Sequence, residues 1–439
     1  MSPAPGLVIA APASGSGKTL LTLALLRSLR QGGVRVAAAK AGPDFIDSAF
    51  HEAASGRPCV NLDRWAMRPA TLDALIARLG EDTDLVLCEG VMGLFDGIDA
   101  AGTGSTADLA ARAGWPVVLV VDARGQAASA AALVAGFARH RADVDVVGVI
   151  FNRVGGAAHA AMLRDALAAH LPTIATLGAV PRSDDLTLPS RHLGLVQARE
   201  HLDLAALIER AAQKIREHVD LAALMRLARP ALARPADRAT PLPPLGSRIA
   251  VARDDAFAFA YPAILESWRA QGAALSNFSP LADEPPTEDA DAVYLPGGYP
   301  ELHAGRIAGA ARFLTGLRAA AKRGALIYGE CGGYMTLGQG LVDETNARHA
   351  MAGLLPLESS FAARRLHLGY RAVRLVGEVP WGRNGDAFRG HEFHFASVVD
   401  EGDGAPLYVS EDARGKPLGL VGRRNGCVMG SFIHLVDRA

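Results

Sequence analysis

The 439-residue sequence is poor in cysteine. The four it has, Cys59, Cys88, Cys331 and Cys427, lie far apart and form no C-x-x-C pair. That excludes a disulfide framework and offers no zinc-site spacing. No uninterrupted apolar run reaches the about 18 residues that a membrane span needs, so no membrane partner is expected. The opening residues, MSPAPGLVIAAP, lack a basic segment followed by an apolar one. No signal peptide is read there, and the cytoplasm is the expected location. Charge of one sign is missing as well. A formal net charge of −1 creates no field that would draw nucleic acid or an anionic membrane.

What is present fits a globular enzyme. Half the residues are hydrophobic and 21% are charged, which argues against disorder. The length suggests two domains of roughly 200 residues each. Short apolar runs at Gly6–Ala11, Val34–Ala39, Asp84–Cys88, Pro116–Val121 and Val146–Phe151 read as buried strands. Segments of helical period, such as Thr19–Gln31 and Ala127–Arg141, lie between them. That alternation predicts a parallel sheet covered on both faces. Ala228–Ser247 breaks the rhythm with five prolines and reads as a stiff linker. A second alternation follows, with strands expected at Arg248–Ala252, Ala292–Leu295, Ala325–Tyr328 and Val428–Ile433. The expected division is residues 1–227, a linker at 228–247, and residues 248–439.

The first strand leads into Pro12-Ala13-Ser14-Gly15-Ser16-Gly17-Lys18-Thr19. A Gly-rich loop between a strand and a helix aims backbone N–H groups at phosphate oxygens, where the helix N-terminus adds favourable charge. Gly15, Ser16 and Gly17 would cradle the phosphates of ATP. Lys18 would reach the β- and γ-phosphates, and the Thr19 hydroxyl would ligate Mg²⁺. Pro12 stands where the usual pattern has its first Gly, so the loop is a variant. Carboxylates follow at the ends of the next strands. Asp44 and Asp47 lie in KAGPDFID, and Glu89 and Asp96 in EGVMGLFDG. Several carboxylates on one sheet edge suit Mg²⁺-assisted phosphoryl transfer. Asn152, with Arg153, ends the fifth strand and is a candidate for recognising the nucleotide base. Asp122, after the fourth strand, is ambiguous between a turn and a site role.

In the second half Gly329-Glu330-Cys331-Gly332-Gly333 lies between a strand and a helix. This is the thiol counterpart of the nucleophile elbow, whose glycines permit a strained turn. The helix N-terminus is expected to lower the thiol pKa. His434, after the closing strand, is the candidate base. The N–H groups of Gly332 and Gly298, the latter in LPGGYPE, are the candidate oxyanion donors. The GHEFHF segment at Gly390–Phe395 lacks the H-E-x-x-H spacing of a zinc helix, and a substrate or interface role is expected for it.

These motifs together span both halves of the chain. In their combination the sequence resembles the cobyrinic/hydrogenobyrinic acid a,c-diamide synthases of cobalamin biosynthesis. The N-terminal half looks like the dethiobiotin-synthetase-like phosphate-loop proteins, and the C-terminal half is similar to class I glutamine amidotransferases. The resemblance implies an α/β chain in two domains, an ATP-dependent synthetase and a glutaminase. It further implies amidation of the a and c carboxylates of hydrogenobyrinic or cobyrinic acid through acyl phosphates. ATP and glutamine would be co-substrates, Mg²⁺ the cofactor, and a homodimer the assembly. Asp44, Asp47, Glu89 and Asp96 match family positions tied to Mg²⁺, acceptor binding and product progression. Alternatives are the same chemistry on a nickel-sirohydrochlorin, a cobyric acid synthase, and a phosphate-loop switch with a regulatory pseudo-glutaminase. Val436 stands where many class I glutaminases carry a third catalytic carboxylate, two residues after the His. A Cys331–His434 dyad is therefore expected.

Overall fold

A computed structural model describes residues 4–183, 186, 190–191, 194–195, 197–201, 203–232 and 239–439. Residues 233–238 of the proline-rich stretch lie outside that range. The chain divides into two compact units, whose main boundary falls between Ala239 and Thr240. Among the described residues no helix is long and apolar enough to cross a membrane.

The first unit is built on seven parallel strands: β1 (Pro5–Ala10), β2 (Val36–Ala41), β3 (Val60–Leu62), β4 (Leu85–Glu89), β5 (Val117–Asp122), β6 (Val146–Val154) and β7 (Ala175–Pro181). Their order is β3-β2-β4-β1-β5-β6-β7. Nearly every residue of β1, β2, β4 and β5 is buried, as a sheet covered on both faces requires. Arg229–Pro230, inside the stretch read as a linker, pairs antiparallel with Pro5–Gly6. Helix α1 (Lys18–Gln31) follows β1, and its inward residues Leu21, Leu25 and Leu29 are buried. Helix α2 (Phe45–Ser55) follows β2 and is capped at its N-terminus by Asp44, which accepts from the Ile46 and Asp47 N–H groups. Parallel strands bring the loops after β1, β2 and β4 to one sheet edge.

The second unit holds a ten-stranded sheet. Its strands are β8 (Arg248–Ala252), β9 (Ala274–Phe278), β10 (Ala292–Leu295), β11 (Leu326–Glu330), β12 (His367–Leu375), β13 (Ala387–His394), β14 (Ala405–Asp412), β15 (Pro417–Asn425), β16 (Val428–Ser431) and β17 (Ile433–Arg438). The order is β9-β8-β10-β11-β16-β15-β14-β12-β13-β17. The first five in that order pair in parallel, and the rest pair antiparallel. The core against the parallel part is apolar, with Phe257, Phe313, Leu317, Ile327 and Tyr334 essentially inaccessible. The closing strand differs from the sequence expectation. It breaks at Phe432, so His434 is not past a strand end but lies within β17, directly opposite His391 of β13.

Candidate active sites

In the first unit the phosphate loop is shaped by two left-handed glycines, Gly15 at φ 81° and Gly17 at φ 87°. Only glycine adopts such angles without strain. The Ser16 hydroxyl donates to the Ala13 carbonyl at 2.8 Å. The base-reading role expected of Asn152 meets a different arrangement. Its amide nitrogen donates to the Ser16 carbonyl at 2.9 Å, and its oxygen accepts from the Arg153 N–H at 2.9 Å. Asn152 therefore braces the loop through the Ser16 carbonyl. Arg153 donates to the Gly15 carbonyl and pairs with Asp122 at 2.6 Å, which gives Asp122 a bracing job as well. A cavity of about 490 Å³ adjoins the loop, lined by Gly17, Lys18, Thr19, Asn152, Pro181 and Lys214 among others. That is room for a ligand of drug or nucleoside size.

Glu89 is the centre of this site. It is fully buried at the end of β4. One carboxylate oxygen accepts from the Thr19 hydroxyl at 2.7 Å and lies 3.1 Å from Lys40 Nζ and 3.7 Å from Lys18 Nζ. The other lies 2.6 Å from His51 Nε2. Burial opposes the charge on Glu89, but Lys40 and His51 overcome it and hold the carboxyl well below its usual range. Lys18 is shifted down by burial, against the pull of Glu89. Lys40 is shifted up: burial works against its charge, while Asp47 at 2.5 Å and Glu89 outweigh that.

The four predicted carboxylates are thus not equivalent. Glu89 and Asp47 are joined through Lys40. Asp44 has one oxygen committed to capping α2, and burial with the neighbouring Asp47 raises it to about 6. Asp96 is exposed and accepts from the Gly93 N–H at 2.8 Å. Its loop adjoins the phosphate loop, where the Leu94 N–H donates to the Ala11 carbonyl. A hydroxyl and an ionised carboxylate oxygen 2.7 Å apart at a helix N-terminus are hard oxygen donors of the kind Mg²⁺ prefers. Thr19 and Glu89 fit that ion, and Asp44 fits it less well.

The second site is built at the edge of the second sheet. Cys331 turns sharply after β11, at φ 48° and ψ −105°, a conformation that costs a non-glycine residue energy and is typical of a nucleophile elbow. Its N–H donates to the Ser431 carbonyl at 2.8 Å. Gly297 lies between Cys331 and His434. A methyl group there would stand 2.3 Å from His434 Cε1 and 3.2 Å from Cys331 Cβ. The two predicted oxyanion donors are neighbours too, because a Cβ on Gly332 would lie 3.2 Å from the Gly298 nitrogen.

The thiol itself departs from expectation. Cys331 is 2% exposed. Burial, with the negative charge of Glu301, pushes its pKa up, and the Gly332 N–H opposes this only partly. The helix that follows, Gly332–Leu337, has six residues, too short to offset burial. The resting group is a thiol, and an adjacent base must take its proton. Cys88 is raised to about 12 by burial. It and Cys59, which burial also shifts upward, are packing residues.

Several residues here were not singled out from sequence. Lys40 and His51 at the first site lie in or just past a quoted motif, yet their role depends on β2 and α2 converging on β4. Glu330 at the second site directly precedes the nucleophile. It is 3% exposed and accepts from the Tyr294 hydroxyl at 2.8 Å and the Leu435 N–H at 3.2 Å. Its Oε2 lies 3.7 Å from His434 Nδ1. In the GHEFHF segment, the His391 ring stacks on His434 with centroids 4.9 Å apart, and its Nδ1 is 3.2 Å from the Tyr261 hydroxyl. Burial first, then His434 and Arg371, hold His391 well below the usual histidine range. Glu392 and His394 lie within 4.8 Å of His367, a spacing that a metal ion could bridge. However, Glu392 is already paired with Arg371 at 2.7 Å and with His394 at 2.9 Å.

Comparison with known proteins assigns a description to each unit. Residues 7–196 match the family model of the CobQ/CobB/MinD/ParA nucleotide binding domain. Residues 248–438 match that of the CobB/CobQ-like glutamine amidotransferase domain. The first range carries the phosphate loop and Glu89, the second Gly298, Cys331 and His434. Among curated proteins, the hydrogenobyrinate a,c-diamide synthase of Brucella suis biovar 1 is 55% identical over 436 residues, covering 98% of each chain. The protein of that name from Rhizobium meliloti is 53% identical, covering 98% of this chain and 99% of its own. The one from Rhodobacter capsulatus is 52% identical, covering 98% of each.

Proposed function

Because the chain belongs to the family of hydrogenobyrinate a,c-diamide synthases, we propose that it amidates the a and c carboxylates of hydrogenobyrinic acid, or of its cobalt-containing counterpart, using ATP and glutamine. The observation that carries this reading is the presence of both halves of the chemistry in one chain. A phosphate loop sits with its Thr19 hydroxyl on a buried, ionised Glu89. A strained Cys331 elbow sits beside His434. The near-full-length likeness to the named relatives supports this choice of acceptor.

In the synthetase unit, backbone N–H groups of Gly15, Ser16 and Gly17 hold the phosphates of ATP, and Lys18 neutralises the transferring end. Thr19 and Glu89, assisted by Asp44, hold Mg²⁺, which when bound supplies charge neutralisation across the phosphate oxygens. Asp47 and Asp96 orient the acceptor. An acceptor carboxylate oxygen attacks the γ-phosphorus, ADP leaves, and an acyl phosphate remains. Ammonia then attacks the acyl carbon and phosphate departs, leaving the amide. In the glutaminase unit, His434 takes the Cys331 proton and the thiolate attacks the glutamine amide carbon. The N–H groups of Gly298 and Gly332 stabilise the oxyanion. His434 returns the proton to the leaving ammonia, and water hydrolyses the glutamyl thioester.

The test uses purified protein with hydrogenobyrinic acid, ATP, Mg²⁺ and glutamine. The expected products are the diamide, ADP and glutamate. ADP and glutamate formed without any amidated tetrapyrrole would overturn the acceptor assignment.

A further inference from the structure

We propose that Glu330, the residue immediately before the nucleophile, is the positioning carboxylate of the glutaminase. It would take the place that Val436 leaves without a carboxylate. The proposal deepens the function above, since it rests on Cys331 being a glutaminase nucleophile.

Three features of the geometry converge. First, the two edges of the His434 ring face different partners. Nδ1 is 3.7 Å from Glu330 Oε2. Cε1 and Nε2 face the space beside Gly297, with Cys331 Cβ across it. A base that takes a proton at Nε2 needs an acceptor at Nδ1 to fix its tautomer and to stabilise the imidazolium that forms. Second, Glu330 itself is fixed. The Tyr294 hydroxyl and the Leu435 N–H hold its two oxygens from β10 and β17. The Tyr294 ring is in turn packed edge-on against Trp268. Third, Glu330 is buried among Tyr294, Tyr328, Trp381 and Leu435. Among the described residues, no Lys or Arg lies within ion-pair distance of it, and His434 is its one ion-pair partner. A buried carboxylate is costly without a cationic partner. At so buried a position its field acts strongly on the imidazole beside it. The separation of 3.7 Å is longer than a hydrogen bond. Catalytic hydrogen bonds are often long before substrate binds and tighten as charge develops.

Among the described residues, Glu330 is the carboxylate within ion-pair distance of His434. His391 stacks on the ring from β13 and is held neutral by burial, His434 and Arg371. Cys331 is the proton donor. Glu301, Glu392 and Glu330 all raise the thiol pKa, but among the described residues it is Glu330 that lies within ion-pair distance of His434. In the resulting step the Cys331 proton moves to His434 Nε2, the imidazolium lies beside the Glu330 carboxyl group, and the proton later leaves on ammonia.

The test compares full-length wild type with Glu330→Gln, which preserves size and keeps one acceptor oxygen for the Leu435 N–H but removes the charge. Glutamine hydrolysis should fall by about 10- to 100-fold in kcat. Its acid limb should move to lower pH, because the imidazolium has lost its anion. Glutamine KM should change little. Ammonia-supported amidation, which bypasses the thiol, reports that the protein is folded. If Glu330→Gln does not fold, Tyr294→Phe decides: it keeps the ring, frees one carboxylate oxygen, and should lower kcat in the same direction by a smaller factor. A folded variant with wild-type kcat and an unshifted pH profile overturns the proposal. A wild-type protein that hydrolyses no glutamine overturns the glutaminase reading instead.

Discussion

At Gly297 the chain has no room for a methyl group. A Cβ there would stand 2.3 Å from His434 Cε1, 3.1 Å from Nε2 and 3.2 Å from Cys331 Cβ. Contacts so short must be relieved by movement. The atoms that can move are the two that must meet, since the Gly297 carbonyl is tied to the Phe259 N–H at 2.9 Å. Misplacement of about 1 Å in a catalytic pair costs on the order of 100-fold. Gly297→Ala should therefore lower glutamine-dependent kcat by about that factor and leave ammonia-supported turnover near wild type. Steady-state rates with each nitrogen source check this. Equal losses from both sources would show a folding defect rather than a displaced base. The same residue-scale view explains why Glu330 escaped a reading of the sequence. A third catalytic carboxylate is usually sought after the His, and only the pairing of β11 with β10 and β16 brings the residue before Cys331 round to face Nδ1.

At the scale of elements, β13 carries the GHEFHF histidines and a carboxylate whose charge does structural work. An ordinary glutamate titrates near 4.5, whereas Glu392 is held at about 2. Burial opposes that shift; the hydrogen bond from His394 and the charges of His394 and Arg371 overcome it. The folded chain therefore keeps Glu392 ionised at pH values where the unfolded chain has already protonated it. The resulting stability is complete above about pH 4.5 and is lost as pH falls toward about 2. Glu392→Gln should unfold at lower urea than wild type near neutral pH. It should also show a shallower loss of midpoint between about pH 4.5 and the acid limit, with the two chains converging there. Parallel pH profiles would mean that the Arg371–Glu392–His394 contacts contribute no net stability.

Elements also show what could be read in advance. Strands such as Arg248–Ala252 and Ala292–Leu295 are found at the residues expected, because continuous apolar runs flanked by loop residues have few other solutions. The antiparallel strands β12 to β15 were not foreseen. Their residues are largely half-buried or exposed and include Gly369, Arg371, Gly419 and Arg423, which blur any period of two. The phosphate loop and the cysteine elbow were legible because each needs a fixed local spacing. The partners that converge from other elements, Lys40, His51, Glu330 and His391, were not, since their meaning is set by the sheet that gathers them. The acidity expected of Cys331 from its helix was overridden by burial, which a local motif does not report.

At the scale of the whole molecule, the chain divides into two compact units. Cys331, His434, Gly298 and Gly332 all belong to the second unit, and the phosphate loop with Glu89 to the first. On the proposed mechanism, hydrolysis of glutamine and activation of the acceptor are chemically separable and share ammonia. Cys331→Ala tests this division. The substitution removes a sulfur that is 2% exposed and leaves Cβ in place, so the fold should tolerate it. Glutamine-dependent amidation should be abolished, because no other thiol stands at an elbow: Cys59 and Cys88 are buried in the first unit and Cys427 donates to the Ala321 carbonyl. With ammonium chloride as nitrogen source the diamide should still form at a rate comparable to wild type, and ADP release should match it. Loss of both activities in a protein with an unchanged melting profile would mean that the synthetase depends on the thiol, which two chemically independent sites do not allow.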